Sequence, residues 1–252
     1  IYTYGQIDIN YWDNIFRSIS LLLEDMSNCA NNLILKNKLN ITENDLNNDC
    51  LEIFKTKTIE RLRQFCESKN ISYPFHISLN NNKKVNIEII IDFICVHLMV
   101  IEKKHIYIHG DFCLSNILYD SRLNIVKLVD PRGHKHEDDF SEMIKSQTYD
   151  LTKLCHSLLG FYDLINAGEI FADSYSISKS LIEVNCNYQV DLYHEMIYKK
   201  AFNYEFFKGS KLNQYLPGTV MLFLSMLPLH SDNEIKQITF LGNAIRIYES
   251  LI

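Results

Sequence analysis

Asp111, Asn116 and Asp130 are the residues of this 252-residue chain whose types and spacing point to chemistry. They fall in two segments, Ile108-His109-Gly110-Asp111-Phe112-Cys113-Leu114-Ser115-Asn116-Ile117-Leu118-Tyr119 and Leu128-Val129-Asp130-Pro131-Arg132-Gly133. Asn116 follows Asp111 by five positions, and Asp130 follows Asn116 by fourteen. Transfer of a phosphoryl group asks for such a set. The reacting phosphate spreads negative charge over its oxygens, so Mg2+ must be held against it. That ion takes oxygen ligands from one or two side chains, from phosphate and from water. A carboxylate must also orient or accept the proton of the acceptor hydroxyl. Two carboxylates and an amide oxygen supply those parts.

A short β unit has to carry these residues. Ile106-Tyr107-Ile108 reads as a strand, and Ile117-Leu118-Tyr119 and Ile125–Val129 read as a hairpin closed by a turn at Asp120–Asn124. The surroundings read as helices. Trp12, Ile15, Phe16, Ile19, Leu22 and Leu23 recur at helical spacing after a cap at Asp8 or Asn10. Asn28–Asp49 is rich in Asn and reads as a looser connector with short helices. Further helices are expected over Cys50–Ser68, Ile87–Ile101, Tyr149–Phe161, around Leu192–Phe207, and over Thr219–Leu227 and Glu234–Leu251. The last two are separated at Pro228, with Ser231 or Asp232 as the cap. No repeat and no linker is visible, so one body over 7–252 is expected after a Tyr-rich opening at 1–6.

Composition agrees with a helical chain. Eight glycines and four prolines are less than half the ordinary share of about 12%. Neither G-x-x-x-x-G-K-[ST] nor G-x-G-x-x-G occurs, which excludes two common nucleotide loops from this chain. Apolar content of 47% supports a packed core. A net charge of −6 argues against nucleic acid or an anionic membrane as main partner. The seven cysteines include no C-x-x-C pair and read as free thiols, so a cytoplasmic location is expected. No apolar run is both long and uncharged enough to span a membrane.

In protein kinases the catalytic loop runs His, any residue, Asp, four spacers, Asn, and a second metal-binding Asp lies beyond a hairpin. His109, Asp111, Asn116 and Asp130 keep that order and spacing. The sequence resembles the aminoglycoside phosphotransferase and choline kinase families, which share the protein-kinase fold. Those families write His-Gly-Asp, four residues, then Asn and an apolar strand, as in His109–Leu118 here. They also carry a Tyr-Asp-Leu opening a helix, found here as Tyr149-Asp150-Leu151. The Asp130-Pro131-Arg132-Gly133 form looks most like bacterial members associated with surface-polysaccharide (capsule) synthesis. The match covers about 108–155.

The resemblance implies a mainly α (α+β) fold: the C-terminal lobe of a kinase-like protein, helical with a small β-hairpin insert. It implies ATP and Mg2+ as cofactors and a hydroxyl of a sugar, amino alcohol or aminoglycoside-like acceptor as target. Asp111 would be the catalytic carboxylate, and Asn116 and Asp130 the Mg2+ ligands. His109 would brace the loop, Asp150 would hydrogen-bond backbone near it, and Ser115 would approach phosphate. Arg132 would contact phosphate or pair with an acidic residue such as Asp150, the structural role being favoured.

The chain departs from the family in lacking a β-rich lobe before His109. Ile1–Gln6 therefore reads as the remnant of an inter-lobe hinge, with Tyr2 and Tyr4 flanking the adenine and the N-terminal lobe of the same polypeptide expected outside this sequence. His134, His136, Glu137, Asp138 and Asp139 read as a solvated loop rather than a metal site, and Cys113 as packing rather than a nucleophile. The competing functional readings are a catalytically silent kinase-like scaffold and nucleotidyl transfer on the same fold.

Overall fold

A computed structural model describes residues 7–132 and 140–252 of the chain. The expectations for the hinge (1–6, with Tyr2 and Tyr4), for Gly133, and for the His134–Asp139 loop lie outside the described residues. In chain order the helices and strands are α1 (Tyr11–Asn37), α2 (Glu43–Leu51), a π-helical turn (Glu52–Thr56), α3 (Lys57–Lys69), β1 (His76–Leu79), β2 (Val85–Asn86), α4 (Ile87–Met99), β3 (His105–Tyr107), β4 (Ile117–Asp120), β5 (Ile125–Leu128), β6 (Ile144–Ser146), α5 (Thr148–Leu158), α6 (Tyr162–Ala167), β7 (Ser174–Ile177), β8 (Leu181–Asn185), α7 (Leu192–Asn203), β9 (Glu205–Phe207), β10 (Ser210–Lys211), α8 (Leu216–Ser225) and α9 (Glu234–Glu249). The architecture is mainly helical with small sheets. Among the described residues, no helix is long and apolar enough to cross a membrane.

Contacts divide the chain into two compact units. One takes in the stretches up to Cys50, Ile101–Leu159 and Val190–Tyr215; the other takes in Leu51–Val100, Gly160–Gln189 and Leu216–Ile252. The sequence reading expects a single body. The division escapes composition because the chain passes between the units several times, once within the unbroken helical run 43–69, with no Gly- or Pro-rich linker to mark it.

In the first unit α1 is amphipathic. Trp12, Ile15, Phe16, Ile19 and Leu23 are buried on one side, and Phe16 meets Tyr204 and Phe206 at ring distances of 5.3 and 5.0 Å. Trp12 Nε1 donates to Tyr193 OH at 2.9 Å, so the polar atom of this buried indole is satisfied. The helix runs on to Asn37 and ends at Lys38 in the left-handed region, φ 52. The looser connector expected from Asn28 therefore starts some ten residues later. The buried stripe of Leu23, Met26, Ser27 and Ala30 ends at the start of the Asn-rich stretch; beyond it Leu33 and Ile34 are only half-buried and the rest of the last turns is exposed, so the helix runs on by propagation from its packed part. β4 and β5 form the expected hairpin, in register from Ile117↔Leu128 to Asp120↔Ile125. Asp120 Oδ1 accepts from the N–H groups of Arg122 and Leu123, and Asn124 closes the turn at φ 51.

The second unit corrects the expectation of a single β insert. It holds a four-stranded sheet in the order β2-β1-β8-β7, with β1 and β8 parallel. Its strands are four or five residues at most, too short for a period-2 signal to stand out from helical neighbours. α8 is buried along its whole length, and α3, α4 and α9 pack against it. Gly242 lets α9 approach the sheet: a Cβ there would stand 2.5 Å from Tyr188 OH and 2.9 Å from Val184 Cγ1. The cap of α9 is Asn233, whose side chain accepts from Lys236 N, rather than Ser231 or Asp232. At α1, Asn10 occupies the cap position without a side-chain bond, and Asp8 Oδ1 accepts from Asn10 N.

Candidate active site

Strand β3 leads directly into the loop that carries Asp111, and β6, its antiparallel partner, leads directly into α5. The junction is pinned by Gln147, which is fully buried. Its Oε1 accepts from Lys104 N at 2.7 Å and its Nε2 donates to Glu102 O at 2.7 Å and to Tyr215 OH at 3.3 Å. The start of α5 is thereby fixed relative to the strand that delivers the loop.

α5 then holds the loop from one side. Both oxygens of Asp150 accept loop N–H groups, Oδ2 from His109 at 2.7 Å and Oδ1 from Gly110 at 2.9 Å. Ser157 Oγ accepts from Leu114 N at 3.1 Å. Gly110 sits at φ +81, and a Cβ there would stand 2.9 Å from Arg132 Cβ, so both backbone conformation and space require glycine. Arg132 N donates to His109 O at 2.9 Å. Among the described residues its side chain makes no ion pair, and the hydrogen bonds Asp150 accepts there come from backbone.

His109 joins the loop to the end of β5. Its Nδ1 accepts from Asp111 N at 3.3 Å, and its Nε2 lies 3.1 Å from Val129 O. A carbonyl only accepts, so the ring proton sits on Nε2. Val129 N donates to Asn116 O at 3.0 Å, which sets Asp130 one residue from the Asn116 backbone. Asp130 is exposed and turns through the left-handed region at φ 56. Asp, like Asn, enters this region more readily than most residues, and here it turns the chain at the end of the hairpin strand.

The Asp111 carboxylate lies where these elements converge. Oδ1 accepts from Lys153 Nζ at 2.9 Å, and the two side chains are only 26% and 16% exposed. Asn116 Nδ2 donates to the Asp111 carbonyl at 3.0 Å and to Oδ2 at 3.3 Å. Partial burial pushes the carboxyl up, but the Lys153 ammonium, helped by the Arg132 charge, outweighs it and leaves Asp111 below its ordinary range. Asp150 behaves in the opposite way. Complete burial pushes its carboxyl up to about 7, against the pull of the two N–H donors.

No protein-family model, curated protein or solved structure matches this chain. The site is therefore judged on its own geometry. Asp111, Asn116, His109 and Asp150 are drawn into one bonded cluster, with Asp130 beside it on the hairpin end. Ser115 is exposed on the turn before Asn116, its Oγ 3.1 Å from Cys113 Sγ. Tyr2 and Tyr4 lie outside the described residues. The sequence reading missed Lys153, Ser157 and Gln147. The signal for the first two was the helix period: once Asp150 faces the loop, residues three and seven positions later share that face.

The donor set suits a hard cation. Both groups that receive the Asn116 amide nitrogen are pure acceptors, so the NH2 must face Asp111 and Oδ1 points away from it. That oxygen and the exposed Asp130 carboxylate are oxygen donors of the kind Mg2+ takes together with phosphate. Among the described residues no group of three His, Cys, Asp or Glu side chains competes as a metal site.

Proposed function

We propose that this chain carries the catalytic centre of an ATP- and Mg2+-dependent phosphotransferase acting on a hydroxyl of a sugar, amino alcohol or aminoglycoside-like acceptor, built on a kinase-like C-terminal lobe and working in the cytoplasm. The observation that carries the reading is the Asp111 carboxylate, held anionic by Lys153 and aimed by Asn116, with Asp130 one residue from the Asn116 backbone contact. Mg2+ when bound would neutralise charge on the phosphate oxygens, held by Asn116 Oδ1 and Asp130. Asp111 orients the acceptor hydroxyl and receives its proton as the new oxygen–phosphorus bond forms and the bond to the departing nucleoside diphosphate breaks. A weakly basic carboxylate suits this role, because the phosphoryl transition state is loose and asks little of the base. The exposed Leu118 and Val129 offer an apolar surface beside Asn116 and Asp130 on which a flat base can rest.

The test is transfer from γ-labelled ATP to choline, ethanolamine, ribitol, glucose and neamine by full-length protein, with Asp111→Ala and Asp130→Ala alongside. Labelled product lost in both variants is the expected result. Transfer that survives both substitutions sinks the reading. A wild-type protein whose melting point does not move at millimolar Mg·ATP favours a silent module, and an adduct with the mass of a nucleotide favours nucleotidyl transfer.

A further inference from the structure

We infer that Lys153 is a positioning residue of this centre, gripping one oxygen of Asp111 so that the carboxylate is presented to the acceptor hydroxyl; the inference rests on the phosphotransfer reading above. α5 meets the loop at three points one helical face apart. Asp150 and Ser157 bind loop backbone, at His109, Gly110 and Leu114. Those three bonds are enough to hold the loop's course. Lys153 alone reaches a side chain, and the side chain it reaches is the one with acid–base chemistry.

Stability does not explain the pair. Both partners are largely withdrawn from water, and the desolvation of two such charges consumes much of what their attraction returns. Neither makes another ion pair among the described residues. The pair does fix direction. Lys153 holds Oδ1 and Asn116 holds Oδ2, so rotation of the carboxylate about its Cβ–Cγ bond is blocked from both sides. Removing one holder frees that rotation, and misplacement of a reacting group by about 1 Å costs on the order of 10²-fold in rate.

The experiment uses full-length protein with Lys153→Met, which keeps the length and loses the charge, and Lys153→Arg, which keeps the charge. Lys153→Gln replaces the Met variant if the latter does not fold. Hydrolysis of Mg·ATP, with water standing for the acceptor, is followed together with the NMR signals of the Asn116 side-chain amide in nucleotide-free protein. Lys153→Met is expected to lower kcat by about 10- to 100-fold with KM for Mg·ATP within about twofold. It should also shift the Asn116 amide signals, and Lys153→Arg should restore most of both. An unchanged kcat, or Asn116 signals that stay in place, overturns the inference. So does a loss shared equally by kcat and KM that Arg does not rescue. A wild-type protein that neither hydrolyses nor transfers overturns the phosphotransfer reading first, and the positioning role falls with it.

Discussion

Each unit of the molecule gathers polar side chains in one place, and the two gatherings differ in how they are satisfied. In the second unit a cleft of about 570 Å³ is lined by Asn80, Asn82, Tyr188, Arg246 and Glu249 among others. Its members mostly answer one another. Asn80 bonds the Cys186 backbone in both directions, at 2.9 and 3.1 Å, and Asn82 reaches both oxygens of Glu249. Arg246 bonds Asn243 and lies between the rings of Phe161 and Tyr188. In the first unit the loop backbone is bound equally tightly, yet among the described residues no hydrogen bond is made by Asn116 Oδ1 or by the exposed Asp130 carboxylate. Polar groups that bond one another, as Asn80, Asn82 and Glu249 do, hold a fold together. A cluster that leaves oxygens over can hold a ligand.

The largest contrast is expected in activity. Asp111→Asn should lower phosphate transfer by about 10²- to 10⁴-fold, the range for a positioned acid–base group. Arg246→Met should leave it within about twofold. Steady-state rates on one acceptor measure both, and a large loss in the second variant would break the comparison.

Stability comes next. Asp150→Ala strands two loop N–H donors, each costing about 1–3 kcal/mol when buried and unpaired. A loss of about 2–6 kcal/mol in urea unfolding is expected. The same residue carries a pH signature. Its carboxyl is raised in the folded protein to about 7, so the folded state binds a proton that the unfolded chain releases near pH 4. The stability from this group is full below pH 4 and is lost as pH rises through about 7. The difference in unfolding free energy between wild type and Asp150→Asn, followed from pH 4 to 8, should fall along that window. A flat difference would mean that the two N–H donors keep the carboxylate ionised throughout.

The glycines sharpen the contrast at a smaller scale. Gly110→Ala meets both a positive φ and Arg132 Cβ at 2.9 Å, whereas Gly168 has a similar φ, +83, and nothing within 4 Å. About 1 kcal/mol is expected for Gly168→Ala from backbone strain alone, and about 1–3 kcal/mol more for Gly110→Ala from the contact. Equal losses would show that Arg132 moves aside freely.

How far these features can be read from sequence depends on whether the signal is local. Asp111, Asn116 and Asp130 stand at fixed spacings within twenty residues, and the hairpin between them has its own turn chemistry at Asp120 and Asn124, so both were legible. α1, α4, α5, α8 and α9 follow from apolar periodicity. Lys153 was not legible, since its partner lies forty-two residues earlier and nothing in its neighbours marks it. The β1–β8 pairing joins segments a hundred residues apart through parallel strands of four and five residues, and no short window contains that information. The end of α1 was misjudged because Asn content does not mark where a helix already formed stops: its last turns are exposed or half-buried and end only at Lys38 in the left-handed region.

The smallest effect belongs to the cleft itself. Asn82 is exposed, and its bonds to Glu249, at 3.0 and 3.2 Å, compete with water. Asn82→Ala should therefore cost no more than about 0.5–1 kcal/mol, or about 1–4 °C in melting temperature for a chain of this size. Glu249→Gln keeps the shape and an acceptor and should cost less. A melting-temperature loss several times larger in either variant would mean that the bond is shielded and rigid. The cleft would then have to be counted with the Asp111 cluster as a preorganised site, rather than set against it.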